Sequence, residues 1–158
     1  VTGPLADEDN FMTSRYGPNG LETVTVLAGL RNYLKGIAEV DYAKGCDIVD
    51  AGWPATEILP APMSEQEKQG IAEAVAKADE SDVIIAVLGE DEYRTGESRS
   101  RTSLDLPGRQ QQLLEALHAT GKPVILVLIN GQPSPSTGQM LISQPSWSRG
   151  FPVVRGER

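Results

Sequence analysis

A single cysteine and a single histidine in 158 residues leave little room for disulfide or metal chemistry. Cys46 has no partner for an internal disulfide, and Cys46 with His118 falls short of any Cys/His zinc set, so neither metal nor cofactor is expected. Basic residues are also few: 14 Lys and Arg stand against 22 Asp and Glu, for a net charge of −8. That balance argues against a nucleic-acid partner, because a phosphate backbone is held by clustered cations. No apolar run approaches the roughly 18 residues of a membrane helix, and no basic stretch followed by an apolar one marks an export signal. The sixteen glycines form neither G-x-G-x-x-G nor a P-loop, which removes support for a nucleotide cofactor.

What is present is an alternation of helical and strand patterns. Val1 to Asn19, with Gly3, Pro4, Gly17 and Pro18, reads as loop. Val24, Leu27, Leu30 and Leu34 recur at three- and four-residue spacing and predict a helix over 21–34, stopped by Gly36. Residues 37–42 alternate as a short strand would, and a long polar connection follows to Met63. Ser64 and Glu67 are spaced as a capping box, opening a helix over 65–78 whose small residues allow close packing on a sheet. Asp82 to Leu88 and Pro123 to Ile129 are continuous apolar runs of the kind buried on both faces of a parallel sheet. Between them Pro107 opens a third helix and Gly121 ends it. This order argues for an α/β fold with a mostly parallel sheet flanked by helices, its ligands at the carboxyl ends of the strands. The loops after Leu88 and after Ile129 then share one rim.

The first of those loops, Gly89 to Arg101, concentrates Glu90, Asp91, Glu92 and Glu97 beside Arg94, Arg99 and Arg101. A carboxyl group serving as general acid needs its pKa raised by burial or by another carboxylate, whereas arginines lower it. On these residues alone a solvated ion-pair network competes with an active-site loop. His118 reads as a helix-end residue, Cys46 as an inert small residue, and Trp53, Tyr16 and Tyr93 as packing residues ahead of sugar-stacking ones.

Several ordered segments resemble the C-terminal α/β-sandwich domain of glycoside hydrolase family 3, which includes β-glucosidases and β-xylosidases. They are GPLAD at 3–7, YAKGC at 42–46, SDVIIAVLGE at 81–90, TGESRSR at 95–101, LDLPGRQQQLLEAL at 104–117 and TGKPVILVLING at 120–131. The resemblance implies a truncated three-layer sandwich from a retaining β-glycosidase that hydrolyses terminal β-linked sugars. In such an enzyme an Asp of an N-terminal barrel is the nucleophile and a sandwich Glu the general acid/base, about 5 Å apart. Carried onto this chain, the acid/base is Glu97, with Glu90 and Arg101 as neighbours that orient it or touch substrate. No segment resembles the barrel, so the isolated chain is expected to be inactive. Its partners are then a β-linked glycoside, the barrel domain, and a second copy of the chain if the barrel-facing surface is covered by oligomer contacts. A periplasmic or secreted location follows from the resemblance alone. A stand-alone flavodoxin-like module for a small ligand, and a folded fragment with no activity of its own, are the competing readings.

After Gly131 the resemblance stops, and 132–158 carries no helical or strand period. Reading each codon so that its last two bases are the first two of the residue at that position permits Leu-Ala-Ile-Asn-Trp from Ser134 onward. After a short variable stretch it permits, codon by codon, Ile-Pro-Ala-Ile-Val-Glu-Gln-Trp-Phe-Pro-Gly, as the family would continue. Residues 1–131 are therefore expected to be a partial sandwich domain, and 132–158 a frameshifted, non-native or disordered tail.

Overall fold

The computed structural model describes residues 1–9, 22–57, 61–94, 98, 101, 103 and 105–131. Helix α1 spans Val26–Tyr33, α2 Glu65–Asp79 and α3 Gln110–Ala119, with strands β1 at Ile84–Gly89 and β2 at Val124–Ile129. The strands pair in parallel, Ile84 opposite Val124 through Gly89 opposite Ile129. Thr2 extends the arrangement on the far side of β1 through parallel bridges to Ala86 and to Ala43. The spatial order is thus Ala43, Thr2, β1, β2.

Alternation along β1 sorts the core into two layers. Ile84, Ala86 and Leu88 face Ile71, Ala74 and Ala78 of α2 and Leu113, Leu114 and Leu117 of α3. Val87 packs on the opposite face with Leu5 and Ala6, joined by Ile85 and by Val26 of α1. Helices therefore cover both faces of a parallel sheet, the three-layer α/β arrangement expected.

Three element boundaries differ from expectation for local reasons. The first helix begins only at Val26, because the Thr25 hydroxyl accepts the Ala28 amide at 3.1 Å and caps it there. Residues 37–42 form no regular strand, and their pairing is reduced to the Asp41 carbonyl, which accepts from the Val1 amino group at 2.8 Å, beside the neighbouring Ala43 bridge. The third helix starts at Gln110 and not at Pro107, since Gly108 adopts a φ of 65°, outside the right-handed helical region. The predicted capping box is present in both halves, with Ser64 N–H donating to Glu67 Oε2 at 2.6 Å and Glu67 N–H to Ser64 Oγ at 3.2 Å. Thr2 occupies a central position of the sheet. The tail at 132–158 lies outside the described residues.

Candidate active site

The chain leaves β1 through Gly89, whose φ of 141° and close approach to β2 exclude a side chain: a Cβ there would lie 2.0 Å from the Ile129 carbonyl oxygen. Glu90 N–H then donates to that same oxygen at 2.9 Å. The loops following the two strands thus meet on one rim, as their carboxyl ends predict. Gln110, fully buried at the start of α3, fixes this exit from two sides. Its Nε2 donates to the Gly89 carbonyl at 2.9 Å and to the Pro107 carbonyl at 3.0 Å, while its Oε1 accepts the Gly89 amide at 2.8 Å.

Glu90 is 8% exposed, and its Oε1 accepts from Arg101 Nη1 in an ion pair between two buried side chains. Arg101 Nη2 also donates to the Asp105 carbonyl. Among the described residues, Glu90 Oε2 is buried and accepts no hydrogen bond. Nearby, buried Arg94 pairs with Asp91, and its guanidinium carbon sits 5.0 Å from the ring centroid of Trp53. Trp53 is 45% exposed, so it is half packed on the loop and half open to solvent. Ser98 has a φ of 64°, a left-handed conformation that few non-glycine residues adopt.

Of the three residues singled out from sequence, the structure brings Glu90 and Arg101 together. Glu97 lies outside the described residues. Gln110 was missed, although its place three and four residues before Leu113 and Leu114, on the apolar face of α3, is the available signal. The Arg94–Trp53 contact joins residues 41 positions apart and has no local signal. Among the described residues no group of three His, Cys, Asp or Glu side chains could hold a metal ion, and no helix is long and apolar enough to cross a membrane.

The family model of the glycosyl hydrolase family 3 C-terminal domain matches residues 1–140. The chain belongs to glycosyl hydrolase family 3. It is 40% identical over 142 residues to the periplasmic β-glucosidase of Salmonella typhimurium, covering 84% of this chain and 18% of that enzyme. A β-xylosidase of Formosa agariphila is 39% identical, with 84% and 17% covered. Among solved structures, a β-glucosidase of Erythrobacter marinus superposes with a TM-score of 0.67 at 36% identity, over 85% of this chain and 20% of that one. The family 3 chain thus spans less than one fifth of the length of these curated relatives, and its α/β layers are those of the family's C-terminal domain.

Proposed function

We infer that the chain is the part of a retaining β-glycosidase that supplies the general acid/base, Glu97, to a site completed by a barrel domain carrying an aspartate nucleophile. The observation that carries this reading is the Glu90–Arg101 ion pair, which ties together the two sides of the loop that contains Glu97 in sequence, at the carboxyl end of β1. Loops at that end are where open parallel sheets bind ligands. The left-handed Ser98, next to Glu97, is the kind of costly backbone that accumulates at functional loops. Arg94 and Arg101 of the same loop are each engaged by a carboxylate, Asp91 and Glu90.

In the first half-reaction Glu97 protonates the glycosidic oxygen as the barrel aspartate attacks the anomeric carbon. In the second Glu97 takes a proton from the water that releases the sugar. Glu90 and Arg101 hold the loop in register and touch no reacting atom. The substrate is a terminal β-linked sugar, with glucose and xylose the two that the named relatives suggest. Export to the periplasm, as in the Salmonella relative's name, is the proposed setting.

Fusing this chain to a family 3 barrel domain tests the assignment. In the fusion, Glu97→Ala is expected to slow hydrolysis of unactivated glycosides by on the order of 10²- to 10⁴-fold. Activated aryl glycosides are expected to be spared at the protonation step, and added azide to restore turnover with formation of a β-glycosyl azide. Unchanged activity in Glu97→Ala overturns the acid/base role. Glu97-dependent hydrolysis by the isolated chain overturns the shared site.

A further inference from the structure

β2 ends at Ile129, and the two residues that follow it are Asn130 and Gly131. At this end of the parallel ladder the Glu90 N–H donates to the Ile129 carbonyl at 2.9 Å. Continued by one rung, the ladder would tie the Gly131 N–H to the Glu90 carbonyl. That bond does not form. Among the described residues neither the Gly131 N–H nor the Asn130 side-chain amide has a hydrogen-bond partner, and both residues are exposed. The Asn130 side chain lies beside the exit of β1, its Oδ1 2.8 Å from the point that a Cβ on Gly89 would occupy.

Asparagine is a thermolabile residue because its side-chain carbonyl carbon is one ring closure away from the backbone nitrogen of the next residue. A side chain on that next residue hinders the closure, and a helix or ladder that holds its N–H prevents it. Gly131 has no side chain and a free N–H, and it allows the backbone rotation that the closure needs. Asn32 is the contrast within the same chain. It is also exposed, but it sits in α1 and is followed by Tyr33, whose N–H belongs to the helix and whose nitrogen is flanked by a bulky side chain.

We propose that Asn130 is a site of spontaneous deamidation in the folded chain. The Gly131 nitrogen gives up its proton to solvent base and attacks the Asn130 carbon Cγ. A Cγ–N bond forms, the Cγ–Nδ2 bond breaks, and Nδ2 leaves as ammonia with a proton from water, which closes a five-membered succinimide. Water then adds to either ring carbonyl. Opening at the side-chain carbonyl restores the normal main chain with aspartate at 130. Opening at the main-chain carbonyl leaves isoaspartate, in which the main chain runs through the side-chain carbon. Nothing is oxidised or reduced, and water is the only co-reactant. Each event replaces an amide by a carboxylate beside Gly89, on the rim that carries Glu90, and adds one negative charge to a net charge of −8.

Incubating the full chain in mildly alkaline buffer made with heavy-oxygen water, followed by peptide mapping, tests the proposal. Mapping is needed because the same dipeptide recurs at Asn19–Gly20, which lies outside the described residues. The peptide containing Asn130 is expected to exchange its amide for one solvent oxygen and to appear as an aspartate and isoaspartate pair, while Asn32 stays intact. The rate in the folded chain is expected to lie within about tenfold of that in urea, as for a segment with almost no free energy of opening. Gly131→Ala should slow the conversion, and Asn130→Gln should keep its amide over the same period. An Asn130 that stays intact in the folded chain yet converts in urea overturns the proposal, because the fold then protects it. Aspartate without isoaspartate, or an equal rate in Gly131→Ala, overturns the attack by Gly131. The readout involves no hydrolysis of a glycoside, so it is separate from the role of Glu97.

Discussion

Glu90 and Arg101, 11 residues apart, form a buried ion pair at the carboxyl end of β1, each side chain 7% exposed. Because Glu90 follows the strand directly and Arg101 is held to the Asp105 carbonyl on the way to α3, the pair links sheet to helix across the loop. Such a pair adds little over apolar residues of the same size, but breaking it from one side leaves a buried charge.

Arg101→Met is therefore expected to lower stability by about 3–5 kcal/mol. Adding Glu90→Leu should recover most of that loss. Urea unfolding of the two single variants and the double variant checks it, and a double variant no more stable than Arg101→Met would show that the pair is not the cause. In the barrel fusion the double variant should fold but lose turnover, since the loop carrying Glu97 is no longer tied.

Gln110 is a sharper case, because one side chain satisfies both backbone groups of Gly89. Gln110→Leu keeps the volume and orphans a buried donor and acceptor, each costing about 1–3 kcal/mol. The expected loss is about 2–6 kcal/mol. The Gly89 amide, which donates to Gln110 Oε1 at 2.8 Å, should exchange faster in the variant even under conditions where the rest of β1 does not.

The layers were legible from sequence: the small-residue run Ile71, Ala72, Ala74, Val75, Ala76 and Ala78 predicted a packing face for α2, of which Ile71, Ala74 and Ala78 are buried and Ala72 and Ala76 exposed, and the two apolar runs predicted parallel strands. Boundaries were less so. Pro107 suits a helix start, but the left-handed Gly108 beside it delays the helix to Gln110. Residues 37–42 alternate like a strand, yet pairing with the 1–3 backbone begins only at the Asp41 carbonyl and runs on through Ala43 and Lys44, since pairing depends on a neighbour that local sequence does not encode. At the site, charge density marked the loop, but which arginine meets which carboxylate depended on the chain returning from residue 101 to residue 90. Gln110 could have been found as a polar residue on an apolar helix face. Trp53 over Arg94 could not.

Acid sensitivity has an identifiable source at the junction of α2 and α3. Burial alone would raise the Glu67 carboxyl, but hydrogen bonds from Ser64 and the Arg109 guanidinium, Nε at 3.1 Å, outweigh it and hold Glu67 below the usual carboxylate value. Arg109 in turn donates to the Ala61 carbonyl at 2.7 Å, so the charge pair fixes the chain before α2 as well. A depressed folded-state value means the contribution is complete above the ordinary value of 4.5 and is lost as pH falls through the lowered one. Glu67→Gln keeps the capping box and removes the charge. The advantage of the native chain over this variant should be constant from pH 8 to about 5 and shrink toward pH 3, in urea midpoints taken at each pH. An advantage independent of pH would mean that Glu67 acts through its shape alone.

Cys46 makes the opposite prediction, of silence. It packs among Ala43, Ile71 and Leu113 in the larger core cluster. Burial, aided by neighbouring Asp47 and opposed by Lys44, pushes its thiol up to about 12. At pH 8 the thiolate is then on the order of one part in ten thousand, and the sulfur is enclosed as well. Iodoacetamide should leave the folded chain unmodified at pH 8 and alkylate it fully in urea. Because access requires opening of the α2–α3 layer, the alkylation rate in intermediate urea should follow the unfolded fraction. The Arg101→Met variant, destabilised at the far end of β1, should be labelled faster than the native chain in the absence of denaturant. Rapid alkylation of the native chain would instead place Cys46 at an accessible surface and contradict the packing of Gly45 and Cys46 beneath Leu113.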